Sequence, residues 1–294
     1  MENKLKFIVS DESNNMTALT FLKKQCNVSS RMITRLKREK NGILRNGKLL
    51  RTIDLLQSGD EVVLNLPVDK SQIVPIKGQL EIIYEDEHIL AVNKPYNMPV
   101  HPTKIHQLDT LANIVAGYSE EKSEHYTFRA INRLDKDTSG IVIIAKDSYS
   151  AAKLFKGIEK NYYAVCQGII NQKGTVNFPI KVKEGHTIER CVSSDGKPSV
   201  THFNPLMWGN NHTLLELKLE TGRTHQIRCH MSSISHPLAG DDMYGGSLEF
   251  IKRQALHCGK VKFNHPVTNK QIIIKSEIPE EFLNILKNRN TNSE

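Results

Sequence analysis

The chain reads as an α+β protein: a mixed, largely antiparallel sheet domain preceded by a small N-terminal α/β module. Three observations predict this. Short apolar runs of strand length outnumber helical patterns from residue 80 onward. Few long helical crossovers separate those runs, which argues against a doubly wound parallel sheet. Basic residues crowd into 23–51, ten Lys and Arg against the single acid Glu39, and set that stretch apart.

Composition supports a folded protein. A length of 294 residues with 38% hydrophobic content suffices for a substantial core. The net charge of +8 favours a polyanionic partner such as nucleic acid. The five cysteines (Cys26, Cys166, Cys191, Cys229, Cys258) are scattered and form no C-x-x-C pair, so reduced thiols are expected rather than disulfides or a thiolate zinc site. No apolar run approaches the roughly 18 residues of a membrane span, and no cleavage-site pattern follows an apolar segment. The expectation is a cytoplasmic protein without membrane contact.

In the basic stretch, Ser29 or Ser30 can cap a short helix whose apolar stripe is Met32, Ile33 and Leu36, while Arg31, Arg35 and Arg38 recur at helical spacing on another face. Asn41-Gly42 and Asn46-Gly47 mark turns between short strands, and Gly59-Asp60 introduces "EVVLNLP". The module is therefore expected as two helices followed by small hairpins over 1–66. Residues 67–79, with two prolines and a glycine, are expected as a linker, and a second domain over 80–294. There "LEIIYEDEHILAVNKP" predicts two strands about a polar turn, "GIVIIAKD" a buried strand, and "DSYSAAKLFKG" a helix starting near Asp147. Leu215, Leu217 and Leu219 alternate as in a strand, "RTHQIRCHM" reads as helical, and "ALHCGKVKF" and "KQIIIK" as strands. "PEEFLNILKN" reads as a last helix, and the tail "KNRNTNSE" is expected to fray.

The decapeptide "INRLDKDTSG" (131–140) packs opposite charges directly against the apolar run Ile141, Val142, Ile143 and Ile144. A carboxylate between cations is favoured in its charged form, and Asp135, between Arg133 and Lys136, is so placed. It is a candidate nucleophile or base. Taken alone, a turn-forming or surface-paired Asp is the simpler reading. Three further features weigh against it. Arg223 falls in the expected opening turn of the "RTHQIRCHM" helix, where the dipole disfavours a cation unless an anion compensates it. Tyr162 and Tyr163 lie in a strand-like run, so one ring goes to each face, and one can offer a flat surface to an unstacked base. The loop "SHPLAGDDMYG" follows the helix, a position where loops often carry function.

Two resemblances follow from these residues. Residues 17–66, with their two helices, N-G-K turn and closing G-D-E-V strand, resemble the αL RNA-binding motif named after a small-subunit ribosomal protein; Thr17-Ala18-Leu19 stands where members often have R-L-D. This implies RNA contact through Arg31, Arg35, Arg38 and Lys48. The second domain resembles the RluA family of pseudouridine synthases over nearly all of 80–275, through "AVNKPYNMPVHP", "NRLDKDTSGIVIIAKD", "KNYYAVCQG", "LETGRTHQIRCHMSSISHPLAGDDMYG" and "RQALHCGKVKFNHPVT".

That second resemblance implies an isomerisation of uridine to pseudouridine in RNA, with no cofactor and no metal. It places the catalytic carboxylate at Asp135, an arginine paired with it at Arg223, and the ring against the target uracil at Tyr162. Arg133 is expected to contact RNA, filling the gap left by the extruded base. Asn132 stands where the family usually has His, and is expected to affect packing or RNA contact without abolishing activity. Combined with the αL motif, family habit points to large-subunit (23S) ribosomal RNA, or a precursor of the large subunit, as the partner of a monomeric enzyme. Two alternatives were weighed: a noncatalytic RNA-binding factor that kept the fold, and a metal site from His225, His230, Asp241 and Asp242, whose histidines are five apart rather than four.

Overall fold

The computed structural model describes residues 4–66, 73–124, 126–155 and 157–287. The first part of the expected linker, 67–72, and the expected frayed tail beyond 287 lie outside the described residues.

The N-terminal module comprises β1 (Lys4–Ile8), α1 (Ala18–Lys24), α2 (Ser30–Leu36), β2 (Ile43–Arg45), β3 (Lys48–Leu49) and β4 (Glu61–Asn65), its strands ordered β1-β4-β2-β3. The leading strand β1 was not expected. Its only sequence cue is the short alternation of Lys4, Leu5, Lys6 and Phe7, and it forms because β4 pairs with it from Lys4↔Asn65 to Ile8↔Glu61. Thr17 and Ser29 cap the two helices, accepting from the Thr20 and Met32 amides. The β2–β3 connection turns at Asn46 and Gly47, both with positive φ, as a tight hairpin demands. The helix expected to carry Arg38 ends at Leu36. Arg38 lies in the following turn, its amide bonded to the Arg35 carbonyl at 3.0 Å, while Arg31 and Arg35 stand on α2.

This module has its own core, which Tyr149 enters from the C-terminal sheet region and against which Val267 also packs. Tyr149, 2% exposed, packs edge-on to Phe7 and donates its hydroxyl to the Cys26 carbonyl at 2.8 Å. Residues 73–79 also pack: the Ile76 amide bonds to the Asn113 carbonyl, and a Cβ on Gly117 would lie 2.3 Å from the Ile76 carbonyl oxygen.

The second domain runs β5 (Glu81–Glu85), β6 (Ile89–Lys94), α3 (Leu111–Glu121), β7 (Ser139–Ala145), α4 (Ser148–Leu154), β8 (Glu159–Gln167) and β9 (Gly174–Val176). It continues with β10 (Ile180–Val182), β11 (Arg190–Val192), β12 (Thr201–Gly209), β13 (His212–Leu219) and α5 (Gln226–Ser233), then β14 (Leu256–Asn264), β15 (Gln271–Lys275) and α6 (Glu280–Leu286). Strands β10 and β11 form a separate ribbon. The others make one sheet in the order β5-β6-β7-β14-β8-β13-β12-β9, with β15 also on β14. No helix among the described residues is long and apolar enough to cross a membrane.

The sheet consists of two antiparallel stretches joined at one seam, where β7 and β14 run parallel over only two residue pairs, Ser139↔His257 and Gly140↔Cys258. Strand β7 is buried along its whole length, as its run of Ile and Val requires. Gly140 makes the seam possible. Its φ is +113°, and a Cβ there would lie 2.4 Å from the Cys258 carbonyl oxygen. The loop entering β7 and the strand β8 beyond β14 are thereby brought together.

Candidate active site

Asp135 sits on the loop entering β7, and its neighbours hold the backbone still. Ile131 and Leu134 are buried in the main core. The Asn132 side chain, 3% exposed, donates Nδ2 to the Ile141 carbonyl and accepts from the Ile143 amide, both at 2.9 Å, so it ties the loop to β7. A carboxamide satisfies one carbonyl and one amide of the strand at once. The Thr138 amide closes the turn on the Asp135 carbonyl at 3.1 Å, and Gln254 Nε2 donates to Thr138 Oγ1 at 3.0 Å. From below, the buried Lys94 ammonium donates to the carbonyls of Pro95, Met98 and Lys136; burial pushes its pKa down to about 7. The charges of the decapeptide then separate: Arg133 and Lys136 face solvent, whereas the Asp135 side chain is 30% exposed and opens into a pocket.

Tyr162 reaches that pocket from β8, its ring 6% exposed among the core residues, and burial holds its phenol well above the ordinary value. Tyr163 points to the other face and packs with Val165, Ala255 and Phe282. One ring per face is the outcome that strand alternation dictates.

The arginines differ from expectation. The helix does not begin at Arg223. His225 adopts a left-handed conformation (φ 55°) and acts as N-cap, so α5 starts at Gln226. Arg223 is an exposed loop residue: it lines the pocket, but its Nε donates to the Pro198 carbonyl at 3.3 Å and its amide to Gln226 Oε1 at 3.0 Å. The expected Arg223–Asp135 pairing is therefore corrected. The cation facing Asp135 is Arg228, whose Nη1 lies 3.4 Å from Oδ2. Arg228 stands in the first turn of α5, where the helix dipole does call for anions. Two carboxylates supply them: Asp135, and Asp241, which accepts from Nε at 2.7 Å and from Nη2 at 2.8 Å. The left-handed His225, which nothing in the sequence signals, shifts the first turn so that Arg228 and not Arg223 meets Asp135.

The surroundings complete the site. His225 Nε2 is 3.7 Å from Asp135 Oδ2, and its Nδ1 is 3.1 Å from the Tyr244 hydroxyl; burial lowers the imidazole's pKa and favours its neutral form. The Arg228 guanidinium carbon lies 4.9 Å from the centre of the Tyr244 ring, and that hydroxyl accepts from the Arg190 amide at 2.9 Å. The four residues weighed as metal ligands do not converge. His230 is fully buried with Nδ1 at Thr201 Oγ1 and Nε2 at the Phe178 carbonyl, while Asp241 is taken by Arg228 and Asp242 caps the Met243 amide. Among the described residues no group of three His, Cys, Asp or Glu side chains gathers as a metal site.

Chemically, the pocket offers a carboxylate beside a guanidinium, a largely buried ring in its lining, and the basic side chains Arg133 and Arg223. Arg228, Tyr244 and Lys94 were missed by sequence reasoning, and Asp241 was considered only as a metal ligand. The loop carrying Asp241 and Tyr244 was marked as functional, but a partner thirteen residues from Arg228 leaves no periodic trace.

The chain is similar to known proteins over most of its length. A family model described as RNA pseudouridylate synthase matches residues 88–233. The RNA pseudouridine synthase YhcT of Bacillus subtilis is 38% identical over 242 residues, covering 79% of this chain and 80% of its own. Ribosomal large subunit pseudouridine synthase D of Pseudomonas aeruginosa is 35% identical over 261 residues, 82% of each chain. Among solved structures, human RNA pseudouridylate synthase domain containing 1 is similar with a TM-score of 0.56 at 26% identity, over 68% of this chain and 83% of its own.

Proposed function

This chain belongs to the RNA pseudouridylate synthase family, whose members isomerise uridine to pseudouridine, and from that premise we propose that it acts on uridine in large-subunit (23S) ribosomal RNA with Asp135 as its reacting carboxylate. The observation that carries the residue assignment is the setting of Asp135: it is the carboxylate lining the pocket, part exposed, beside Arg228 and across from Tyr162. Support for ribosomal RNA comes from relatives named as large-subunit synthases and from the basic N-terminal helix pair.

The target uridine must leave its stack before its sugar bond is reachable, which costs a few kcal/mol. Tyr162 offers a face to the extruded base, a contact worth about 1–3 kcal/mol. Asp135 then serves the isomerisation, in which the sugar is released from a ring nitrogen and rejoined to carbon five, carbon five losing its proton and the freed nitrogen gaining one; attack on the sugar, attack on the ring and removal of a ribose proton all require a carboxylate at that point. Arg133, exposed beside the pocket, fills the space vacated in the RNA, and Arg223 steers the phosphates at the rim. Residues 1–66 act as an αL-type RNA-binding domain through Arg31, Arg35, Arg38 and Lys48, residues 67–79 connect it, and 80–294 carry the chemistry. As part of the same proposal, the working unit is a single chain in the cytoplasm.

The test is direct. Asp135→Asn should lower pseudouridine formation in unmodified ribosomal RNA at least about 1000-fold while RNA affinity stays within about threefold, as expected when a reacting group rather than a binding group is removed. An active Asp135→Asn enzyme sinks the assignment. Pseudouridine maps of cells with and without the protein should differ in large-subunit RNA; a difference confined to transfer RNA would refute the substrate.

A further inference from the structure

We propose that Asp241 is a positioning residue for the isomerisation: by occupying the Nε/Nη2 edge of Arg228 it leaves only Nη1 to face Asp135, so the reacting carboxylate is attracted without being locked. This rests on the reading of Asp135 given above.

A guanidinium free to turn meets a carboxylate two bonds to two, and would engage both oxygens of Asp135. Here its fork is spent elsewhere. Asp241, with a side chain wholly excluded from solvent, takes Nε at 2.7 Å and Nη2 at 2.8 Å, and Nη2 also donates to Met243 Sδ at 3.8 Å, so the Nη1/Nη2 edge is not free for a second two-bond pairing. The Tyr244 ring lies against the guanidinium face, with its centre 4.9 Å from Cζ, and Arg228 itself is 5% exposed. What reaches Asp135 is one contact of 3.4 Å to Oδ2, longer than the roughly 2.7–2.9 Å of a tight charge-assisted bond. His225 approaches the same oxygen at 3.7 Å. Among the described residues no donor is bonded to Oδ1, which leaves that oxygen uncommitted in the pocket.

The loop holding Asp241 is itself rigid. The amides of Tyr244 and Gly246 both bond to the Asp241 carbonyl, at 3.1 and 2.8 Å. A Cβ on Gly240 or Gly246 would fall 2.0 or 1.9 Å from a carbonyl oxygen, so the turn closes only with glycine. Leu238 bridges to Cys166 of β8, the strand that carries Tyr162. Asp241 thus shares one positive charge between a structural carboxylate and a reacting one, and the fold fixes which edge each receives.

The experiment compares steady-state kinetics on unmodified ribosomal RNA in proteins that all retain Asp135, so failure of the underlying reading, seen as an active Asp135→Asn enzyme, is separately visible. Asp241→Asn keeps the shape and removes the charge; kcat should fall about 100-fold with KM within about threefold, the size of effect a misplaced reacting group produces. Asp241→Glu restores the charge and should be at least about tenfold faster than Asp241→Asn. Arg228→Gln and the double Arg228→Gln/Asp241→Asn variant should be equally slow, because the effect of Asp241 runs entirely through Arg228. A kcat within threefold of wild type for Asp241→Asn, a loss appearing in KM, Asp241→Glu no faster than Asp241→Asn, or a double variant about tenfold slower than Arg228→Gln would each overturn the proposal. Where Asp241→Asn alone does not fold, the double variant, which removes both members of the buried pair, decides it against Arg228→Gln.

Discussion

The basic groups that border or support the Asp135 pocket and those of the N-terminal module are managed in opposite ways. Arg228 is 5% exposed, gripped along one edge and covered on one face, and Lys94 is buried on three carbonyls. Arg31, Arg35, Arg38 and Lys48 all face solvent. A charge meant to act on a defined atom needs partners that hold it in place, whereas exposed charges keep the reach that contact with a phosphate backbone would call for. Arg223 belongs with the second group although it borders the pocket, since its Nε finds only the Pro198 carbonyl.

The sharpest way to break this comparison is to exchange the two pocket arginines for glutamine. Arg228→Gln should lower kcat by at least about 100-fold, because Asp135 loses its steering charge; Arg223→Gln should raise KM by no more than about tenfold and spare kcat. Steady-state kinetics on ribosomal RNA check both, and a larger kcat loss at Arg223 would reverse the assignment. Next in size, replacing Arg31, Arg35 and Arg38 together with glutamine should weaken RNA binding by about tenfold at physiological salt with kcat intact, and reduce the slope of log affinity against log salt by about 2. An unchanged slope would mean that this face does not meet phosphate.

Smaller effects probe the frame alone. Asn132→Ala leaves the Ile141 carbonyl and Ile143 amide without their partner, and should cost about 2 kcal/mol in urea unfolding. His257, buried at the seam between Ser139 and Ser276 with Arg253 nearby, has its pKa pushed down to about 4, first by burial and then by that arginine. In the unfolded chain it takes up a proton near its ordinary value of 6.5. The unfolded state therefore binds more protons between those limits, and stability should decline as pH falls from 6.5 to about 4, by up to about 1.4 kcal/mol per unit. His257→Asn should flatten that window in pH-dependent unfolding, and an unchanged slope would count against it.

Much of this was legible in the sequence, where physics is local. The run Ile141 to Ile144 announced a buried strand and Asp147 the start of α4; Asp135 and Tyr162, both singled out in the sequence, line one pocket. What escaped depends on distant pairing or on a single dihedral. Strand β1 exists because β4 receives it, nearly sixty residues on. The left-handed His225 moved the start of α5 past Arg223 and handed its expected place to Arg228. Asp241 became visible only when the turn after α5 closed on that guanidinium.

Gly140 is the clasp of the seam. With a hydrogen in place of a methyl, two antiparallel stretches approach closely enough to share two rungs, and the Asp135 loop and the Tyr162 strand meet in one pocket. A larger side chain at 140 would wedge the two stretches apart, so the make-up of the pocket depends on a residue that does not line it.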